Sequence, residues 1–103
     1  MSTFCQGDII SIEGYSKMLF VVVSKNAFIR ATGVLHVCLM QDRVPAGPVH
    51  IAVIGKQGTK GTVICEQIKL IDPAARACNK KDTLNYGEIM DVSDAVQGLF
   101  EYD

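Results

Sequence analysis

The sequence predicts a small, mainly β-stranded barrel of about five strands, followed by a C-terminal α-helix. Short apolar runs, alternating or rich in β-branched residues, are separated by Gly- and Pro-containing turns. Near residue 86 the apolar spacing changes from the period of a strand to that of a helix. The chain has 103 residues, 49% of them hydrophobic. This length suits one domain with a real core, which we expect to span residues 1–103.

The first half of the chain predicts three strands. Ile10 and Ile12 lie on one face of the first strand. The second contains an uninterrupted apolar run too short for a core helix, which is typical of a strand buried on both faces. In the third, Leu35, Val37 and Leu39 lie opposite His36 and Cys38. The predicted elements are a strand at 7–13, a turn at 14–16, a strand at 18–24, a loop or wide turn at 25–33 and a strand at 33–41.

Two further strands follow a break made by Pro45, Gly47 and Pro48. Val49, Ile51 and Val53 alternate along the fourth strand, so the intervening His50 is on the other face and could face a groove or simply solvent. The Gly-rich connection at 55–61 is expected to be flexible and exposed, and a fifth strand begins at 62–65. Closure of these strands into a barrel would remove exposed sheet edges.

A helix is predicted near residues 86–100. Ile89, Val92, Val96 and Leu99 recur at helical spacing. Asn85 precedes Glu88 by three residues, which is the pattern of a capping box. The apolar stripe is expected to close one end of the barrel or to form a dimer interface.

Charge and composition exclude several classes of protein. The formal net charge is −1, so the chain is not a general nucleic-acid coater and any such binding needs a local patch. The longest apolar run, at 18–23, is far shorter than the roughly 20 residues of a membrane span. The N-terminus lacks the pattern of a signal peptide. We therefore expect a cytoplasmic protein without a membrane association. The local concentration of positive charge comprises Lys56, Lys60, Lys69, Arg76, Lys80 and Lys81.

The four cysteines, at positions 5, 38, 65 and 78, have no spacing typical of a metal knuckle. In a reducing compartment they are expected to stay free, with Cys38 and Cys65 as small buried hydrophobes. His36 and Cys38 share a strand face, but no third and fourth ligand are evident nearby. We expect no metal site and no cofactor.

Several segments, in order, resemble the PemK/MazF/Kid family of toxin–antitoxin toxins. Gly7-Asp8-Ile9 is similar to the opening strand of that family, and residues 21–24, VVVS, followed by Asn26 and Phe28, resemble its second strand. The most specific segment is GTVICEQIKLID at 61–72, with Arg76 extending the match. The resemblance covers essentially the whole chain.

The resemblance implies an SH3-like barrel with a C-terminal helix that forms a homodimer. It also implies a growth inhibitor that cleaves single-stranded RNA without metal and is restrained by an antitoxin protein in the RNA groove. In such cleavage the 2′-hydroxyl attacks the adjacent phosphate. A base must take its proton, an acid must protonate the leaving oxygen, and cations must stabilise the phosphate charge.

The chain departs from the family where the family has its active site. The Arg-Pro pair that opens the family's second strand corresponds to Met18-Leu19, with Lys17 as the nearest cation. The Thr/Ser pair that ends the third strand is replaced by residues 41–43, Gln-Asp-Arg. The first loop is reduced to about 14–16. In the plasmid-borne branch of the family, an arginine and an aspartate alternate along the fifth strand. Here they correspond to Ile64 and Glu66, so the carboxylate persists and the arginine does not.

The candidate site follows from these correspondences. Arg43, helped by Lys17, would hold the phosphate charge. Glu66 or Asp42 would be the base, provided burial raises its pKa. Each of these residues also has an ordinary structural interpretation as a turn, strand-flank or surface ion-pair residue. The expected catalytic residues are Lys17, Asp42, Arg43 and Glu66, and the expected RNA-binding residues are Lys69, Arg76 and Gln41.

Three hypotheses stay open from the sequence. The first is a divergent ribonuclease toxin with a rebuilt site. The second is a PemK-like fold without ribonuclease activity, acting as a protein- or nucleic-acid-binding module. The third is an unrelated small barrel that serves as a protein-interaction module.

Overall fold

A computed structural model describes residues 4–100, which form one antiparallel sheet and two helices. The described part has six strands, where about five were predicted. The mainly β fold with a C-terminal helix is confirmed. The elements are β1 Asp8–Ile12, β2 Leu19–Val22, α1 Asn26–Thr32, β3 Leu35–Gln41, β4 His50–Ile54, β5 Lys60–Ile71, β6 Cys78–Thr83 and α2 Tyr86–Gly98.

The strand order is β4-β5-β3-β2-β1-β6. β5 is the longest strand, with 12 residues, and it pairs with two neighbours. Residues 60–64 pair with β4, and residues 62–71 pair with β3. The register of the β3–β5 pair shifts between Cys38 and Met40. A shift of this kind bends the bulged strand, as closure of a small barrel requires.

The two edges of the sheet are joined through the turn between β4 and β5. The Lys56 N–H donates to the Thr83 carbonyl at 2.9 Å. The Gln57 and Thr59 N–H groups donate to the carboxylate of Asp82, at 3.0 and 3.1 Å. Because Asp82 and Thr83 belong to β6, these bonds connect the β4 edge of the sheet to the β6 edge.

The core consists of two hydrophobic clusters on opposite faces of the sheet. The predicted burial of β2 on both faces is confirmed, since Phe20 and Val22 lie in one cluster and Val21 in the other. The predicted alternation of β3 is confirmed as well. Leu35, Val37 and Leu39 belong to the cluster of Phe20, and Cys38 belongs to the cluster of Val21.

Helix α2 packs on the cluster that contains Val21. Val92 is buried there, with Ile89 and Val96 beside it. The predicted capping box is present, because the Glu88 N–H donates to Asn85 Oδ1 at 2.9 Å and the Asn85 N–H donates to the Glu88 carboxylate. No helix in residues 4–100 is both long and apolar enough to cross a membrane.

Two elements differ from the sequence-based expectation. The loop predicted at 25–33 is wrong, because α1 occupies most of it. Burial of Ile29 and a left-handed Gly33, whose N–H donates to the Ile29 carbonyl at 2.8 Å, stabilise this short helix. β6 was not predicted at all. Its sequence, CNKKDT, has almost no apolar alternation because it is a largely exposed edge strand.

Candidate functional site

A cleft lies where β2 begins and β3 ends. Leu19 pairs with Met40 in the antiparallel register, so Lys17, two residues before, and Asp42, two residues after, come to the same edge of the sheet. The cleft has a volume of about 400 Å³. Its polar lining consists of Lys17, Gln41, Asp42 and Lys60, and its apolar lining of Met18, Leu19, Leu39 and Met40.

Three of the seven expected site residues, Lys17, Gln41 and Asp42, therefore line this cleft. Lys60 was missed as a site residue. It belongs to the Gly-rich connection as seen in the sequence, but in the structure it begins β5. Because Gln41 pairs with Thr62, Lys60 continues β5 past the end of β3. Lys60 can be placed beside the cleft only when the register between β3 and β5 is known. That register is not evident from the sequence.

Two cationic residues beside the cleft have a left-handed backbone. Lys17 and Arg43 both have a φ of 62°, and among the described residues they are the non-glycine residues with positive φ. Such a conformation costs on the order of 1 kcal/mol or more for a residue with a side chain. Unfavourable backbone of this kind concentrates at functional sites. Arg43 follows Asp42 in the turn after β3 but does not itself line the cleft.

Glu66 lies elsewhere, on the β4–β5 surface. Its two carboxylate oxygens lie 3.1 and 3.0 Å from Nε2 of His50. This hydrogen bond is the main reason why the pKa of Glu66 is lowered from its ordinary value. Glu66 is also exposed. The burial-raised pKa that a carboxylate base would need is therefore absent at Glu66, and its partner is the histidine His50.

Lys69 and Arg76 meet at an aromatic ring. Lys69 Nζ lies 5.5 Å from the centre of the Tyr15 ring, and the Arg76 guanidinium carbon lies 5.3 Å from it. The Tyr15 ring packs edge-on against the Phe20 ring, with 5.4 Å between the two ring centres. Both cations are thus fixed by cation–π contacts. Tyr15, in the short turn between β1 and β2, was not singled out from the sequence.

The turn at 14–17 links this basic cluster to the cleft. Tyr15 contacts Lys69 and Arg76, and Lys17 lines the cleft. A second depression of about 490 Å³ is lined by both Tyr15 and Lys17. An anionic chain lying along this surface would meet four cations, namely Arg76, Lys69, Lys17 and Lys60. The carboxylates of Asp42 and Glu13 also line the two depressions, but the cations outnumber them, so the surface is a local basic patch on a chain whose net charge is −1.

Cys38 and Cys65 take no part in this surface chemistry. Cys38 and Cys65 are buried, and all four cysteines are free. Burial is the largest cause that raises the pKa of Cys38 to about 12 and that of Cys65 to about 11, so neither is a thiolate at neutral pH. No group of three or more His, Cys, Asp or Glu residues within 4–100 is arranged to hold a metal ion.

Comparison with solved structures shows the fold. The chain superposes on the MazE–MazF complex of Deinococcus radiodurans, Form-II, with a TM-score of 0.82, 15% identity and 100% coverage of both chains. Form-I of that complex gives 0.81, 16% identity and coverage of 96% of this chain and 97% of the other. An endoribonuclease in complex with its cognate antitoxin from Mycobacterial species gives 0.81, with 14% identity and coverage of 98% and 100%.

Comparison of the sequence with curated proteins finds no match. The sequence does match the family described as PemK-like, MazF-like toxin of type II toxin–antitoxin systems, over residues 7–100. This range includes every strand and both helices, together with all seven expected site residues. The unrelated-barrel hypothesis is therefore excluded, and the chain belongs to the PemK-like, MazF-like toxin family.

Proposed function

We propose that this protein is the toxin of a toxin–antitoxin system and that it cleaves single-stranded RNA without a metal ion. The observation that carries the proposal is the convergence of Lys17, Gln41, Asp42 and Lys60 on one cleft, at the edge where β2 begins and β3 ends. The chain belongs to a toxin family, and the lysine and polar side chains of this cleft can stabilise the negative charge that develops on a phosphodiester during its cleavage.

The RNA is proposed to lie along the basic patch. Its phosphates would contact Lys69 and Arg76, which both lie against the Tyr15 ring, and the phosphate to be cleaved would lie at the edge of the cleft beside Gln41. Lys17 and Lys60 would hold the charge that develops on that phosphate, with Arg43 reaching in from the adjoining turn. Gln41 would donate or accept hydrogen bonds to the RNA.

The test is incubation of the purified protein with several long RNAs of mixed sequence in EDTA. We expect discrete fragments ending in a 2′,3′-cyclic phosphate, identified by mass spectrometry, since the 2′-oxygen is the nucleophile. A Lys17→Ala variant should cleave about 100-fold more slowly, by analogy with loss of one transition-state donor. If the wild-type protein leaves all RNAs intact, the proposal is wrong and the binding-module hypothesis replaces it.

An antitoxin protein and a second copy of the chain are the proposed partners. The similar structure from D. radiodurans contains MazE with MazF, and the one from Mycobacterial species is an endoribonuclease in complex with its cognate antitoxin. Tyr86 and Met90, one turn apart on α2, are 76% and 46% exposed and offer an apolar surface for pairing. Sedimentation that shows a species of 11.2 kDa alone at micromolar concentration would contradict the homodimer.

A further inference from the structure

His50 and Glu66 form an imidazole–carboxylate pair on the β4–β5 surface. His50 lies at the start of β4, and Glu66 lies on β5 two residues beyond Ile64, the register partner of His50. One ring nitrogen, Nε2, is within 3.0–3.1 Å of both carboxylate oxygens. The side chains are 31% and 46% exposed, so a ligand from solvent can reach them.

The geometry of the pair fixes the protonation of the ring. A carboxylate accepts hydrogen bonds only, so Nε2 must carry the proton that is donated to Glu66. In the neutral ring, Nδ1 then holds the free lone pair and can accept a proton. When Nδ1 is protonated, the adjacent Glu66 carboxylate stabilises the positive charge. Glu66 itself is a weak proton acceptor, because the bond to His50 lowers its pKa.

The pair lies on the same face of the sheet as a residue of the cleft. Thr62 of β5 pairs with Gln41 of β3 on one side and with Ala52 of β4 on the other. Residues paired in this way share a face, and His50 shares that face because it is two residues from Ala52. Two strand spacings and two residues along a strand put the Cα atoms of Gln41 and His50 roughly 12 Å apart. The 2′-hydroxyl and the phosphate that it attacks belong to one phosphodiester, so that group would have to lie between the side chains of His50 and Gln41, at the edge of the cleft.

Other charged groups near β4 do not compete for the ring in the described structure. The strand β5 carries Lys60, Glu66 and Lys69, and α2 carries Glu88, Asp91 and Asp94. The Glu88 carboxylate accepts from the Ile54 and Asn85 N–H groups. Within residues 4–100, the His50 ring pairs with the carboxylate of Glu66.

We propose that His50 is the proton acceptor in RNA cleavage and that Glu66 is the residue that positions its ring. This inference rests on the proposed ribonuclease function. His50 Nδ1 takes the proton of the attacking 2′-hydroxyl as the 2′-oxygen bonds to phosphorus. The bond between phosphorus and the 5′-oxygen breaks, and that oxygen takes a proton from solvent. The imidazolium later releases its proton to solvent, so no net proton is consumed.

The experiment measures single-turnover cleavage of one RNA, in EDTA, by His50→Ala, Glu66→Gln, the double variant and Asp42→Asn. His36→Gln is the matched control, because His36 lies on β3 against Phe28 and away from the pair. We expect His50→Ala to lose about 100-fold or more in rate. Glu66→Gln should lose less, and the double variant should be no slower than His50→Ala. The affinity of each variant for a 2′-O-methyl RNA, which cannot react, should stay within about twofold of the wild-type affinity. A surface substitution usually changes a free energy by no more than roughly 0.5 kcal/mol, which corresponds to about twofold.

Chemical rescue separates catalysis from a structural role. Added imidazole should restore part of the His50→Ala rate, and it should not raise the rate of the Asp42→Asn variant or of the wild type. The wild-type cleavage rate should fall at acidic pH. The residual cleavage rate of His50→Ala should not show this fall.

Two results would overturn the inference while the proposed function stands. One is cleavage by His50→Ala at the wild-type rate. The other is a greater loss in Glu66→Gln or Asp42→Asn, together with removal of the acidic limb, which would make a carboxylate the acceptor. Failure of the wild type to cleave any RNA is a different outcome and defeats the proposed function itself, together with this inference. Thermal unfolding of each variant verifies that the fold is retained.

Discussion

The carboxylate of Asp82 occupies the position that a side chain at Gly55 would need. A Cβ atom added at Gly55 would collide with both Oδ2 and Cγ of Asp82. The same carboxylate, 3% exposed, accepts bonds from the Gln57, Thr59 and Thr83 N–H groups. A residue larger than glycine at position 55 would therefore displace the carboxylate of Asp82. The contact between Gly55 and Asp82 lies where the β4 edge of the sheet meets the β6 edge.

Gly55→Ala should destabilise the protein, because the carboxylate must move and lose its amide donors. We expect the melting temperature to fall by roughly 5–10 °C. Gly98→Ala is the control, because nothing lies within 4 Å of its Cβ position and it ends a helix. That substitution should leave stability unchanged or raise it by up to about 1 kcal/mol. Equal melting temperatures for both variants would contradict the steric role of Asp82.

Asp82 should make the free energy of unfolding depend on pH in the acidic range. Desolvation by burial would raise its pKa, but the amide donors outweigh that effect and lower it from 3.8 to about 2. Since the pKa is lower in the folded state, the stabilisation is complete above about pH 4 and is lost as pH falls toward 2. The difference in stability between wild type and Asp82→Asn, from urea unfolding, should therefore shrink over this range. A difference that stays constant from pH 7 to 2 would contradict the expectation.

Arg43→Ala and Arg43→Gly should separate the side chain of Arg43 from its backbone. Both variants lose the guanidinium, so we expect both to cleave about 100-fold more slowly than wild type. Glycine adopts a φ of 62° without the Cβ penalty, so the Gly variant should be the more stable of the two by about 1 kcal/mol. Wild-type cleavage by both variants would remove Arg43 from the site.

Lys69→Ala should weaken RNA binding without changing the rate of the bound complex. Loss of one phosphate contact should reduce the slope of log affinity against log salt by about 0.7. A 2′-O-methyl RNA keeps binding separate from cleavage in this measurement. Lys25→Ala removes the same charge at the start of α1, where it takes no part in the Tyr15 contacts, and should leave the slope unchanged. Equal slopes for the two variants would place the RNA elsewhere.

The fold was largely predictable because its core strands carry strong periodic patterns. Val21 and its neighbours in β2, and Leu35 with the alternating residues of β3, are buried as their spacing indicates. β6 was missed for a physical reason. An exposed edge strand is held by backbone hydrogen bonds to β1 and by the buried Asp82, and neither leaves an apolar period in the sequence. Helix α1 was missed because seven residues with one buried side chain, Ile29, give too short a signal.

The candidate site was only partly predictable, since it depends on register. Lys17 and Asp42 could be placed together because β2 and β3 are neighbours by family resemblance. Their meeting with Lys60, and the pairing of His50 with Glu66, depend on how β5 divides its pairing between β3 and β4. A one-residue change of register would turn these side chains to the other face. Local sequence does not specify that register.

The pairing of β1 with β6 determines when the sheet can be completed during synthesis on the ribosome. Residues 8–12 pair with residues 78–83, so the first strand emerges long before one of its two neighbours has been synthesised. At about 5–20 residues per second, that interval is on the order of several seconds. The cleft edge, formed by β2 and β3, is made early, but the closed barrel that supports it requires residues 78–83. Premature termination before residue 78 would therefore release a chain with an open sheet, which is a target for proteases rather than a finished protein.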